Sequence, residues 1–187
     1  MRIRAYFLLS GLVILSLTGC NGTKQTKSAE QSLSANIVKA DYSKLKAQVE
    51  EFNRAIVNKD FNKMIDWTHP KYIDQFGGRE KTLAVMKTGV EDYKSQGIEV
   101  ISLDTGQPGE VVQIKDQLFS IVTDTSTMKA PGGKLVGEIT VIAVSTDGAN
   151  WKFISGLNQE RFNALFPDAA EQILIPEAGE SRFIEND

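Results

Sequence analysis

The chain has 187 residues, 41% of them apolar, and 21 Lys and Arg against 24 Asp and Glu, for a formal net charge of −3. That length fits one domain, and the apolar share is enough for a packed core. A single Cys and a single His exclude an internal disulfide framework and a Cys-rich zinc site. A mildly acidic chain without a basic block is not built for nucleic acid.

Arg2 and Arg4 are the only charges before Lys24, and residues 6–17 form a continuous apolar run. As a helix this run is about 18 Å long, well short of the ~30 Å core of a bilayer. A basic start, a short apolar stretch and small residues read as a secretory signal peptide over residues 1–19. Its end, Leu17-Thr18-Gly19-Cys20, resembles the bacterial lipobox. That resemblance implies a diacylglycerol on the Cys20 thiol and cleavage before it, the small neighbours letting the processing enzymes reach the backbone. Acyl chains anchor at about 0.8 kcal/mol per buried methylene. Loss of Arg2 and Arg4 takes the formal charge from −3 to −5. The expected location is the cell envelope. Asn21 after the cysteine implies outer-membrane placement facing the periplasm in a Gram-negative cell. Residues 20–40 are small and polar with no hydrophobic period, the composition of a flexible tether.

Apolar residues then recur at Leu45, Val49, Phe52 and Ile56, one face of a helix that Asp41 or Ser43 can cap. A second short helix fits residues 60–68, with Phe61, Met64 and Ile65 inward and Pro70 as its stop. Gly77 and Gly78 break the chain. A third helix fits 79–96, with Leu83, Met86, Val90 and Tyr93 on one face and Gly97 closing it. Strand-like segments follow at 98–103, 110–114, 118–128, 135–145 and 151–154, separated by turn signals at 106–109, 115–116, 130–133 and 146–150. Residues 158–166 suit a last helical turn or two, and 177–187 read as a C-terminal tail. Helices first and a strand meander afterwards predict an α+β domain over 41–176 with an antiparallel sheet. Long strands in a small domain must curl, and the first helix is available to fill the concave face.

That order resembles the cystatin-like cone of the nuclear-transport-factor-2-like superfamily. The likeness is carried by Asn58-Lys59-Asp60-Phe61, Thr68-His69-Pro70-Lys71-Tyr72-Ile73, Gly77-Gly78-Arg79-Glu80, the stretch Ala143-Val144-Ser145-Thr146-Asp147-Gly148-Ala149-Asn150-Trp151-Lys152-Phe153, and the Phe166-Pro167 and Leu174-Ile175-Pro176 segments. The superfamily holds isomerases, SnoaL-like cyclases, dehydratases and many non-catalytic binders, and fold does not choose among them.

His69 has two readings. One is a general base or pocket donor; the other, which the sequence favours, is a cap on carbonyls at a helix C-terminus. As a base it would need Asp66 or Asp124 as its partner. Asp124 lies mid-strand in Val122-Thr123-Asp124-Thr125-Ser126-Thr127, on a solvent face or in a pocket. Trp67, Tyr72, Tyr93 and Trp151 are core aromatics or cavity lining. Asp66, Trp67, His69, Tyr72, Tyr93 and Asp124 together make the candidate pocket. The Asp147-Gly148-Ala149-Asn150 turn lacks the spaced acidic ligands of a calcium loop. There is no phosphate loop, nucleophile elbow or zinc motif, so no cofactor is expected.

Three functions follow. The first is a non-catalytic, membrane-anchored binder of a small apolar ligand or a protein partner. The second is a SnoaL-like enzyme abstracting a proton from, or hydrating, an apolar substrate through His69 with Asp66 or Asp124. The third is a homodimeric interaction module with a filled cone. The strand at 135–145 is apolar on both alternations, which predicts that a partner or second subunit covers its outer face.

Overall fold

A computed structural model of the chain describes residues 36–177 and 179–186. The expected signal peptide, Cys20 and the expected tether up to residue 35 lie outside the described residues.

The first helix, α1 (Tyr42–Val57), begins where the Asp41 carboxylate accepts the Lys44 N–H at 3.0 Å. Leu45, Val49 and Phe52 are buried as their spacing predicts. Helix α2 (Phe61–Trp67) starts in the same way, with Asp60 accepting from Lys63 N. Pro70 does more than stop it. Thr68 and His69 are extended, and Pro70 opens a further helix, α3 (Pro70–Gln75), which the sequence reading lacked. Proline suits that first helical position because its φ is already helical and no N–H is left over. Helix α4 (Arg79–Ser95) ends on Gly97 at φ +75. There Ile98 N donates to Tyr93 O at 2.9 Å and Gly97 N to Lys94 O at 3.0 Å, a Schellman closure.

The strands are β1 (Asn36–Ile37), β2 (Glu99–Asp104), β3 (Val112–Ile114), β4 (Gln117–Ala130), β5 (Gly133–Ser145), β6 (Lys152–Ser155) and β7 (Arg182–Glu185). They form one seven-stranded sheet whose paired strands are antiparallel and whose path, β1-β3-β4-β5-β6, does not close. The architecture is α+β. Its spine is the β4–β5 hairpin, in register from Leu118 opposite Ser145 to Ala130 opposite Gly133. One end of β4 pairs with β3 and the other with β2. Likewise β6 takes Val141–Val144 of β5, and β7 takes Gly133–Val136. Two strands correct the sequence reading. β1 lies inside the stretch read as tether, and Val38 and Ala40 behind it pack on the core. β7 lies in the stretch read as tail.

Each face of the hairpin's β6 end carries its own core. Val141, Ala143, Val122 and Phe153 point to α1 and meet Leu45, Val49 and Phe52. The alternate residues Ile142, Val144, Phe119 and Ile154 meet Phe162 and Leu165 of a last helix, α5 (Gln159–Leu165), together with Phe166, Ala169, Ile173 and Ile175. Side chains of this size stabilise by about 1.5–3 kcal/mol each when fully buried. The doubly apolar strand thus needs no second subunit at Ile142 and Val144, because the chain's own C-terminal segment covers them. Farther along the same strand Leu135 and Val136 are only half-buried.

Candidate functional site

Asp124 sits where β4 changes neighbours. Between its pairings with β3 and β2, the loop after β2 runs alongside β4, with Gly109 N donating to Ile121 O at 2.8 Å. Gly106 in that loop lies so close that a Cβ would stand 2.1 Å from the Thr123 carbonyl oxygen, so only glycine fits. Its N–H donates to Asp124 Oδ1 at 3.2 Å. Asn53 of α1 donates through Nδ2 to Asp124 Oδ2 at 2.6 Å and to Thr105 Oγ1 at 2.9 Å. Asp124 is fully buried, and Asn53 nearly so. Burial pushes the Asp124 carboxyl above the ordinary range, against the bonds from Asn53 and Gly106 that lower it. Asn53 Oδ1 is buried without a partner.

Asn53 and Thr105 also form part of the wall of a cleft of about 380 Å³ between α1 and β2, beside Val57, Ile101, Leu103 and Asp104. Asp124 stands behind that wall. The arrangement offers a buried acid whose pKa burial raises, an amide, a hydroxyl and an apolar patch.

His69 is used differently. It is the N-cap of α3, with Nδ1 accepting the Lys71 N–H at 3.2 Å. Its own N–H donates to Phe153 O at 3.0 Å, and its ring stands edge-on to Phe166 at 5.2 Å. A capping role was foreseen, but at the C-terminus of the preceding helix. Pro70 moves it to the start of the next one. Burial, then the Lys71 charge, lowers the imidazole pKa to about 4; Asp74 opposes this and Lys152 adds to it. The ring is therefore neutral at pH 7.

The other residues of the predicted pocket are scattered. Asp66 is exposed on α2 and pairs with Arg79 at 2.7 Å. Trp67 packs on Phe153, ring centroids 5.8 Å apart, with Lys152 Nζ over its face. Tyr72 packs on Phe76 and on the α5-side core. Tyr93, 58% exposed, lies on the outside of α4. His69 is thus hydrogen-bonded to neither Asp66 nor Asp124, and the six do not form one cavity. The residue that sequence reading missed is Asn53. Its signal was there: steps of four from Leu45 run through Val49 to an asparagine, a polar side chain on the buried face.

Among the described residues no group of three or more His, Cys, Asp or Glu is placed to hold a metal ion, and no helix is long and apolar enough to cross a membrane.

No family model matches the chain, and no curated protein matches it. Two solved structures resemble it. Bd1075 of Bdellovibrio bacteriovorus is 21% identical over 61% of this chain and 38% of its own, with a TM-score of 0.41. TsrD from Streptomyces laurentii is 15% identical over 70% of this chain and 99% of its own, with a TM-score of 0.36. The chain thus spans well under half the length of the first.

Proposed function

We propose that this chain is a lipid-anchored protein of the cell envelope. Its α+β domain, a cone of the nuclear-transport-factor-2-like kind, binds a small, largely apolar ligand without turning it over. The anchor rests on Leu17-Thr18-Gly19-Cys20. The binder reading is carried by one observation: the single imidazole is spent on the N-terminus of α3, away from the buried Asp124–Asn53 pair. A general base needs reach to its substrate and a group to orient it. His69 Nδ1 already holds a backbone N–H. The α1–β2 cleft sets an apolar patch, Val57, Ile101 and Leu103, among six polar or charged residues, a surface that can hold a ligand with both kinds of group.

Two measurements test this. Cys20→Ala should take up no labelled palmitate and should remain an unprocessed precursor; a wild type that also takes up none, and is released from the membrane, would sink the anchor. For the ligand, the purified full chain is extracted with solvent and the extract analysed by mass spectrometry. A stoichiometric apolar compound, lost when Leu103 and Thr105 are both changed to Glu, supports the cleft. Recovery of a chemically converted product from added compound would sink the binder reading.

A second reading rests on Asp124 alone. A buried carboxylic acid whose pKa is raised by burial is the kind of group that can donate a proton in catalysis. Asp124→Asn, which keeps the shape and removes the acid, separates the two: turnover lost in a stable variant favours the enzyme.

A further inference from the structure

Cations gather at the Pro131 end of the hairpin. The registers place Glu99, Lys129, Lys134 and Ile184 side by side across β2, β4, β5 and β7. The next row is Ser102, Thr127, Val136 and Arg182. Both rows lie on the face that α5 covers farther along, since Lys134 and Val136 share the alternation of Ile142 and Val144. Lys59 pairs with Glu99. The Lys59 ammonium, then Lys129 and Lys94, hold the Glu99 carboxyl below the ordinary range, which places Lys94 of α4 at the same corner. Lys129 and Lys134 stand directly opposite each other, where like charges repel.

Among the described residues Lys94, Lys129, Lys134 and Arg182 are in no ion pair. They cluster in a chain whose formal net charge is −3. Glu185 is close by but opposite Gly133, on the other face, and the acids Asp104 and Glu138 lie one row farther from the turn. Apolar side chains are exposed at the same corner: Ile184 beside Lys134, Phe183 next to it, and Tyr93 near the end of α4. A Cβ on Gly97 would stand 3.2 Å from the Pro131 ring, so the end of α4 meets the hairpin turn.

We propose that this corner docks on an anionic lipid surface. Lys94, Lys129, Lys134 and Arg182 meet the phosphates, and Ile184 and Phe183 enter the headgroup layer. Basic side chains are drawn to such a surface within a Debye length, about 8 Å at physiological salt, and apolar ones add burial. A soluble acidic partner would match the cations and leave the exposed Ile184 and Phe183 without a role. The docking rests on the lipid anchor proposed above, which brings the domain to a membrane. The tether permits the pose. β1 enters beside β3, at the far end of β4. Residues 20–35 outstretched reach about 50 Å, against about 46 Å for the 14 residues of β4.

The test uses the full chain with Phe183→Trp, reconstituted in phosphatidylcholine vesicles with or without about 30% phosphatidylglycerol. Brominated acyl chains quench a tryptophan that enters the headgroup layer, and the parent chain is the blank. Quenching should be at least about twofold greater on the anionic vesicles and should weaken as salt rises from about 50 to about 500 mM. Lys129→Gln, Lys134→Gln and Arg182→Gln together, all on exposed side chains, should keep the melting temperature and abolish the difference. Ile184→Asp should also reduce it. Equal quenching on the two vesicles, quenching on neither, or no change in the triple variant would each overturn the proposal. So would full release of the tryptophan by soluble polyglutamate matched in charge to the lipid, which would make the corner a site for an acidic protein. Flotation in about 1 M salt reads the anchor separately. A chain that floats there without quenching keeps the anchor and loses the docking. One that stays behind yet is quenched on anionic vesicles at low salt does the reverse.

Discussion

The two ends of the β4–β5 hairpin have the same backbone and opposite surroundings. Near the 146–150 loop, Val141–Ser145 is buried on both faces, by α1 on one side and α5 with its following chain on the other. Toward the Pro131 turn, Met128, Leu135 and Val136 are only half-buried, and the flanking strands leave Ile101 and Phe183 44% and 47% exposed. Pairing is continuous along the whole hairpin, so hydrogen bonding does not make the difference. Cover by helices does. The cleft against α1 lies where that cover gives out.

The comparison breaks most readily at Phe153. It is fully buried and stacks on Phe52 at 5.4 Å and on Trp67 at 5.8 Å. Phe153→Ala should cost about 3–5 kcal/mol in chemical denaturation, while Phe183→Ala in β7 should cost under about 1 kcal/mol. Similar losses for the two would show that the far end is packed after all.

Acid should loosen the closed end first. His69 has an ordinary pKa of 6.5 in the unfolded chain and about 4 when folded. Above pH 6.5 both states are neutral and the stability is fully present. As pH falls from 6.5 toward 4 the unfolded state binds a proton that the folded state refuses, and stability drops by an amount on the order of 2–3 kcal/mol. Asp124 works in the opposite sense. Its folded pKa is raised, so its contribution is present at low pH and is lost as pH rises through that value. His69→Gln should flatten the loss between pH 6.5 and 4 in thermal melts. A wild-type curve flat over that window would refute the buried neutral ring.

The closed end was largely legible in the sequence. The spacing of Leu45, Val49 and Phe52 marked the inner face of α1, and the alternation in β5 showed that both faces needed cover. The helical turn at 158–166 was legible, with Phe162, Leu165 and Phe166 on one face, but nothing local says which face of the sheet it covers, and Ile173 and Ile175 lie in irregular chain. The Asp124 site was half legible. A carboxylate mid-strand stood out, but its partners come from α1 and from the loop after β2, brought together only by the fold. Pro70 misled for a physical reason: the same residue that cannot continue one helix is well suited to open another. β1 and β7 escaped because strands of two and four residues in polar surroundings carry no alternation to read.

Asp124 tests the boundary between the two ends. Asp124→Ala should cost about 1–3 kcal/mol, since Gly106 N–H and the Asn53 amide lose a buried acceptor. Asp124→Asn keeps one of the two acceptors and sets an NH2 against the other donor, while removing a carboxyl whose ionisation burial opposes, so it should cost less than the Ala variant at pH 7. Denaturation midpoints at pH 7 decide between these. A large loss in the Asn variant would mean that the charge itself is used.

The smallest effect is expected from deleting β7. All four residues of the strand are exposed, and it is held by pairing to Gly133–Val136, by Asn186 N–H on Gly132 O and by the Phe183 ring over Gly132 and Gly133. Surface hydrogen bonds that water can replace contribute little net stability, so ending the chain after Ser181 should lower stability by under about 1 kcal/mol. The local effect should be sharper. Amide exchange in Gly133–Val136 should quicken, while Val141–Val144, paired with β6 between two cores, should keep its protection. Loss of protection at both ends together would mean that the hairpin opens as one unit, and the contrast between its ends would then be one of packing without any difference in local stability.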